Sequence, residues 1–152
     1  MKLTTVCYIE KDRKYLMLHR TKKEKDENGG KWIGIGGKFE FGETPYDCVR
    51  REVLEETGLT LMNPRYRGIV TFVSNVWGTE YMHLFTATEY SGTLTEDCAE
   101  GDLDWIDIGE LSQLPMWEGD KIFHKLLLED KGFFSLRLEY NGDDLISHKV
   151  EY

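Results

Sequence analysis

A chain of 152 residues, 40% hydrophobic and 12% aromatic, has the size and composition of one folded domain, able to bury roughly 68–70% of its unfolded surface without a disulfide or structural metal. Its net charge of −9 argues against gripping a nucleic-acid backbone, which needs clustered Lys and Arg. The lack of an apolar run of about 18 residues argues against a membrane span.

Residues 3–9 and 15–19 are rich in strand formers and flank a polar stretch, which predicts a hairpin. Residues 21–31 form a polar loop. Gly34, Gly36, Gly37 and Gly42 then interrupt residues 32–42 at points where a backbone can turn sharply or approach a ligand closely. Thr44 and Pro45 read as a helix start, a capping hydroxyl followed by a residue suited to the first helical position. Gly58 supplies the stop, so the helix is expected over Pro45–Thr57.

Residues 65–75 and 80–88 read as strands joined across residues 76–79, and 104–108 as a short strand with a turn or helix opening at Gly109. Residues 121–130 carry Ile122, Phe123, Leu126 and Leu127 at helical spacing, and 133–140 with 145–150 read as a final hairpin around Asn141, Gly142 and Asp143. Strands interspersed with two separated helices suggest a sheet packed between helices. Residues 1–152 are expected to form a single domain. Cys7, Cys48 and Cys98 include no Cys-x-x-Cys pair and read as reduced packing thiols; the first residues are strand-like rather than a signal sequence, so a cytoplasmic location is expected.

On the first helix, Glu52, Glu55 and Glu56 are related by i+3 and i+4 steps and share one face. Like charges at that spacing cost about 0.2–0.5 kcal/mol per pair, so the face calls for something positive. A hard divalent cation is the natural counterpart, because Mg²⁺ takes carboxylates together with waters and substrate phosphates. Tyr46, Val49 and Val53 form a separate apolar stripe that can hold the helix to a core. An isolated acidic pair would ordinarily be no more than a solvated helix face.

The full pattern says more than the pair. Gly37, five residues, Glu43, seven residues, Arg51-Glu52-Val53, Leu54, Glu55-Glu56, Thr57 and Gly58-Leu59 together resemble the signature of the Nudix family at every specified position. The resemblance implies an α+β chain with the Nudix fold, a mixed β-sheet sandwiched between helices (α/β/α), and a metal-dependent pyrophosphohydrolase. It implies Mg²⁺, with Mn²⁺ as a substitute, held by Glu52, Glu55, Glu56 and the Gly36 carbonyl. Glu43 takes a supporting role and Arg51 orients it through a charge-assisted hydrogen bond. Glu100, ahead of Trp105, resembles a further metal-contacting acid of the family, with Asp102 and Asp104 as weaker competitors. One of Glu55, Glu56 or Glu100 is expected to deprotonate the attacking water.

A second resemblance, to the MutT-type subgroup that hydrolyses oxidised purine nucleoside triphosphates such as 8-oxo-dGTP, covers nearly the whole chain. It rests on residues 30–38, 116–120 and 126–134. It implies that Trp117 stacks on the purine and Asp120 hydrogen-bonds its edge, with Phe72 and Phe123 as pocket walls; both Phe also read as plain core. Lys38 is a phosphate candidate, and His19, Arg20, Lys22 and Lys23 are local cations able to offset triphosphate charge. Ile33 and Gly119 depart from the mammalian pattern, which has Asn and Asp there. A dinucleoside polyphosphate or nucleotide sugar is the nearest rival substrate, and a non-catalytic nucleotide-binding module the rival from another class. Monomer and homodimer are both open.

Overall fold

The computed structural model describes residues 1–22 and 26–152. β1 (Lys2–Lys11) and β2 (Lys14–Arg20) form the expected hairpin. Asp12 and Arg13 turn between them with φ of 53° and 62°, the left-handed pair that suits a tight hairpin. The two strands pair only at Glu10 with Tyr15 and Lys11 with Lys14, and then part.

The glycine-rich stretch fills the fork. β3 (Trp32–Ile33) stays beside β2, while β4 (Ile35–Lys38) crosses to lie antiparallel to Thr4 through Cys7 of β1. Gly34 sits at the crossing, where a Cβ would come within 2.6 Å of Val6 and 3.0 Å of Tyr8. Residues 32–42, where the glycines offered sharp turns or close approaches, therefore contain two strands. Their pairing depends on partners far away in the chain.

α1 (Pro45–Thr57) has the predicted bounds. Thr44 and Asp47 complete a reciprocal capping box, and Gly58 closes the helix at φ 79°. β5 (Thr60–Met62), β6 (Arg65–Ser74), β7 (Gly78–Ala87), β8 (Glu89–Ser91) and β9 (Gly101–Asp107) follow, then a 3₁₀ turn at Ile108–Gln113, α2 (Glu118–Glu129), β10 (Phe134–Asn141) and β11 (Asp144–Glu151). Two expectations shift here. β9 begins three residues earlier than predicted because it pairs along the whole of β2, and α2 begins at Glu118 rather than Lys121.

Among the described residues nine strands join one sheet, in the order β11-β10-β6-β7-β1-β2-β3, with β4 on β1 and β9 on β2. β1 runs parallel to β7, and β6 to β10; the other pairs are antiparallel, so the sheet is mixed. β5 and β8 make a separate small ladder.

Strand alternation sorts the core into two layers. Val6, Tyr8, Tyr15 and Met17 face α2, packing with Phe123 and Leu127. Cys7, Ile9, Leu16 and Leu18 face α1, packing with Val49 and Val53. Tyr46, the third residue of the expected stripe, is partly exposed but sets its ring edge-on to Phe85, 5.1 Å between centroids. The sheet thus lies between two helices. All three cysteines are free and buried.

Candidate active site

The fork in the sheet places α1 beside the edge of β4. Gly37 faces Glu52 so closely that a Cβ there would lie 2.5 Å from its carboxyl carbon, and a Cβ on Gly36 would lie 1.9 Å from the Thr5 carbonyl oxygen. The two glycines let the strand press against both its neighbour and the acid helix.

Arg51 is the hub of that helix. Its Nε and Nη2 donate to the two oxygens of Glu43 at 2.7 and 2.9 Å, its Nη1 to Glu52 at 2.9 Å and Glu55 at 3.2 Å, and its Nη2 also to the Lys38 carbonyl at 3.0 Å. Hydrogen bonding to Arg51, above all, holds the Glu43 carboxyl down at about 2. Burial raises Glu52, with Arg51 pulling the other way. Glu56 is pushed up to about 8, first by burial and then by Glu52 and Glu100; Arg20 and a backbone hydrogen bond from Gly36 only partly offset this.

A cavity of about 590 Å³ opens beside these acids. Gly36, Lys38, Glu52, Glu56 and Glu100 line it, and so do Phe72, Trp117, Asp120 and Phe123. The residues predicted for metal, Glu55 excepted, and those predicted for the nucleobase therefore line one space from α1, β4, β6, α2 and the segment before β9. Phe72 and Trp117 both pack against Tyr140, at ring separations of 6.3 and 5.0 Å. Trp117 is further fixed by donating its Nε1–H to Asn28 at 2.8 Å, with Lys31 4.3 Å over its ring. Asp120 lies in the first turn of α2, only 5% exposed, and burial drives its carboxyl well above the usual range.

Other predicted residues lie elsewhere. Glu43, Arg51 and Glu55 do not line the cavity; the Glu55 side chain is 58% exposed and drawn toward Arg51. His19 stacks on Trp32 at 4.6 Å, and Lys22 donates to the Cys98 carbonyl. Arg20 lines the cavity, bound to Asp26 at 2.8 Å and Glu100 at 3.3 Å. Lys23 lies outside the described residues. Lys2, Trp77 and Glu80 also line the cavity and were missed by the sequence reading. Glu80 carried a signal, since it is in phase with the core residues Met82 and Leu84.

The donors suit a hard cation. Among the described residues no three His, Cys, Asp or Glu side chains already form a ligating cluster, yet Glu56 Oε2 is buried with no hydrogen-bond partner. The available atoms are oxygens. Mg²⁺ characteristically keeps waters and recruits substrate phosphate beside one or two carboxylates, so a partial protein shell fits it.

A mixed sheet between two helices, with an acid helix behind a glycine bend, defines a Nudix hydrolase, and the chain belongs to that family: residues 2–127 match the NUDIX domain model. Members of this family act on nucleotide substrates and generally use divalent metal ions. The chain is similar to the uncharacterised Nudix hydrolase YvcI of Bacillus subtilis, 30% identical over 97% of this chain and 92% of that one. It is likewise similar to an oxidized purine nucleoside triphosphate hydrolase of Danio rerio, 33% identical over 98% and 93%. The crystal structure of a MutT protein from Bacillus halodurans superposes with a TM-score of 0.89 at 30% identity, covering 99% of this chain and 98% of its own. An NAD-capped RNA hydrolase of Vibrio atlanticus is 35% identical over 70% of this chain but only 37% of its own length. No described helix is long and apolar enough to cross a membrane.

Proposed function

We propose that the chain hydrolyses purine nucleoside triphosphates, oxidised purines such as 8-oxo-dGTP foremost, to the monophosphate and pyrophosphate. The observation that carries this reading is the shared cavity, in which Glu52, Glu56 and Glu100 line the same space as Trp117, Phe72 and Asp120. A base stacked on Trp117 leaves its phosphates to extend toward the acids. The name of the Danio rerio relative, which matches over nearly the whole of both chains, supports the same substrate.

Glu52, Glu56, Glu100 and the Gly36 carbonyl would hold Mg²⁺. When bound, the ion supplies Lewis-acid stabilisation of charge on the phosphate oxygens and acidifies water. Arg51 holds Glu52 in place, Arg20 holds Glu100, and Lys38 offers a positive charge to the phosphates. Glu56, whose carboxyl is pushed up to about 8 chiefly by burial, is positioned to exchange a proton with water; Glu55 and Glu100 are the other candidates for that role.

A substrate panel with product identification tests the reading. It contains 8-oxo-dGTP, dGTP, a dinucleoside polyphosphate, a nucleotide sugar and NAD. The expected result is faster Mg²⁺-dependent conversion of 8-oxo-dGTP than of dGTP, yielding pyrophosphate. Equal or absent rates for those two overturn the substrate assignment and leave the reaction class standing.

A further inference from the structure

On the sheet face beneath α2, Glu80 occupies a position where strand alternation puts core. Its in-phase neighbours on β7 are Met82 and Leu84, both buried, and its cross-strand partner on β6 is Phe72. Thr4 Oγ1 donates to Glu80 Oε2 at 2.7 Å. Among the described residues Oε1 accepts no hydrogen bond. Lys2, which pairs with the same β7 position across the parallel ladder, is bound instead to Glu27 at 2.7 Å.

Asp120 lines the same cavity from the helix side. Its carboxyl also takes no hydrogen bond from the described residues, although it is only 5% exposed. Burial raises both acids above their usual range, and Glu80 adds to the effect on Asp120. Glu80 is half-buried, and holding two incompletely hydrogen-bonded carboxyls in largely apolar walls has a cost that an apolar residue at either position would avoid. Two incompletely paired acids on different walls of an aromatic-lined cavity are accounted for by a ligand that brings hydrogen-bond donors to both. Ile33, on a third wall, can make no such bond.

We propose that Glu80 is a specificity-determining residue that reads the heterocycle jointly with Asp120, selecting a purine with N–H donors on two edges. This inference rests on the reading of the cavity as a purine nucleoside triphosphate site, and deepens it. Guanine carries N1–H and the 2-amino group on one edge, but its N7 is an acceptor. Oxidation at C8 to the keto form puts a hydrogen on N7 and turns the second edge into a donor. A pocket that meets each edge with a carboxyl accepts the oxidised base and leaves the ordinary one with an acceptor facing an acceptor, or facing an acid that must keep its proton.

The test compares wild type, Glu80→Leu and Glu80→Gln. Calorimetry measures binding of 8-oxo-dGMP and dGMP without divalent cation, and steady-state kinetics with Mg²⁺ measure both triphosphates. Leu removes the acceptor, so the preference for 8-oxo-dGMP over dGMP is expected to fall about ten- to a hundredfold, the range for a hydrogen bond to a charged group. Gln keeps an acceptor oxygen and the Thr4 contact, so it recovers part of the preference. The loss should appear mainly in KM for 8-oxo-dGTP, with kcat less affected. Thermal melting at or above the wild-type temperature shows that the variants fold. A preference unchanged in both variants, or equal weakening of both nucleotides, overturns the role of Glu80 while the purine reading stands. A wild type that binds neither monophosphate and hydrolyses neither triphosphate overturns that reading and this inference with it.

Discussion

Adjacent glycines at the bend of the active site should respond to the same substitution in opposite ways. Gly36→Ala places a methyl 1.9 Å from the backbone oxygen of Thr5, more than an ångström inside the 3.0 Å below which real Cβ contacts essentially never fall. A backbone carbonyl in the centre of a ladder cannot rotate away, so β4 must leave β1. Overpacking costs about 1–3 kcal/mol, and the ladder hydrogen bonds that loosen add about 1 kcal/mol each, giving roughly 3–5 kcal/mol out of a typical total of 5–15. Gly37→Ala instead meets the Glu52 carboxyl at 2.5 Å, the far end of a side chain that can change rotamer. That costs about 0.5–1.5 kcal/mol, and alanine returns about 0.4–1 kcal/mol through the unfolded chain, so net stability should stay within about 1 kcal/mol of wild type. Activity should not survive as well. Glu52 is pushed off its 2.9 Å bond to Arg51 and out of the cavity wall, and a displacement of about 1 Å in a catalytic group is worth about 100-fold in rate. Urea unfolding followed by Trp fluorescence and initial-rate assays on the same preparations separate the two effects. Equal stability losses would refute the geometric argument, and a stable Gly37→Ala protein with wild-type turnover would refute a role for Glu52 in the chemistry.

Glu56→Gln should lower turnover at least 100-fold and, without cations, make the protein more stable at pH 8 than wild type. The folded-state value of Glu56 near 8 lies above its unfolded value of about 4.3, so the unfolded chain binds fewer protons between those limits and wild-type stability falls as pH rises through them. Urea titrations at pH 5 and pH 8 that show the same difference between variant and wild type would contradict this, and turnover that survives in Glu56→Gln would remove Glu56 from the catalytic assignment. Glu43 has the opposite sign: its value of about 2 is depressed, so its contribution is present above about pH 4.3 and lost as pH falls toward 2. Arg51→Met should flatten that acid limb and also reduce kcat by releasing Glu52; an unchanged acid-unfolding curve would remove Arg51 from the account. Chelation should abolish hydrolysis, and Mg²⁺ at a hundredfold excess over its Kd should stabilise the protein by about 2.7 kcal/mol, visible as a Tm several degrees higher. No change in melting with Mg²⁺ would count against the acid cavity as its site.

The half of the site that was legible is the half written locally. Thr44, Pro45 and Gly58 delimit α1 through contacts within a few residues, and helical geometry then dictates which side Glu52 and Glu56 share. Even there one neighbour alters the outcome: Arg51, one turn before Glu55, draws its carboxylate toward solvent. What was not legible depends on backbone from elsewhere. Gly36 offered a turn or a close approach from sequence and Gly101 carried no strand signal, yet each lies in a ladder, where a Cβ would meet the partner strand's carbonyl oxygen at 1.9 Å. Gly119 fell before the helix expected from Lys121, whereas it lies in the first turn of α2, packed so closely on β10 that a Cβ would lie 2.4 Å from Leu138 and 2.6 Å from the Tyr140 hydroxyl. The Asp found there in the mammalian pattern could not be accommodated without moving both. Glu80 illustrates the limit most sharply: its phase with Met82 and Leu84 hints at an inward position, but only the register with Phe72 and Lys2 shows which wall it joins. Reaction class is therefore readable from one helix and one bend. On the proposed purine reading, selectivity rests on β6, β7 and α2, whose meeting point is set by pairings distant in the chain.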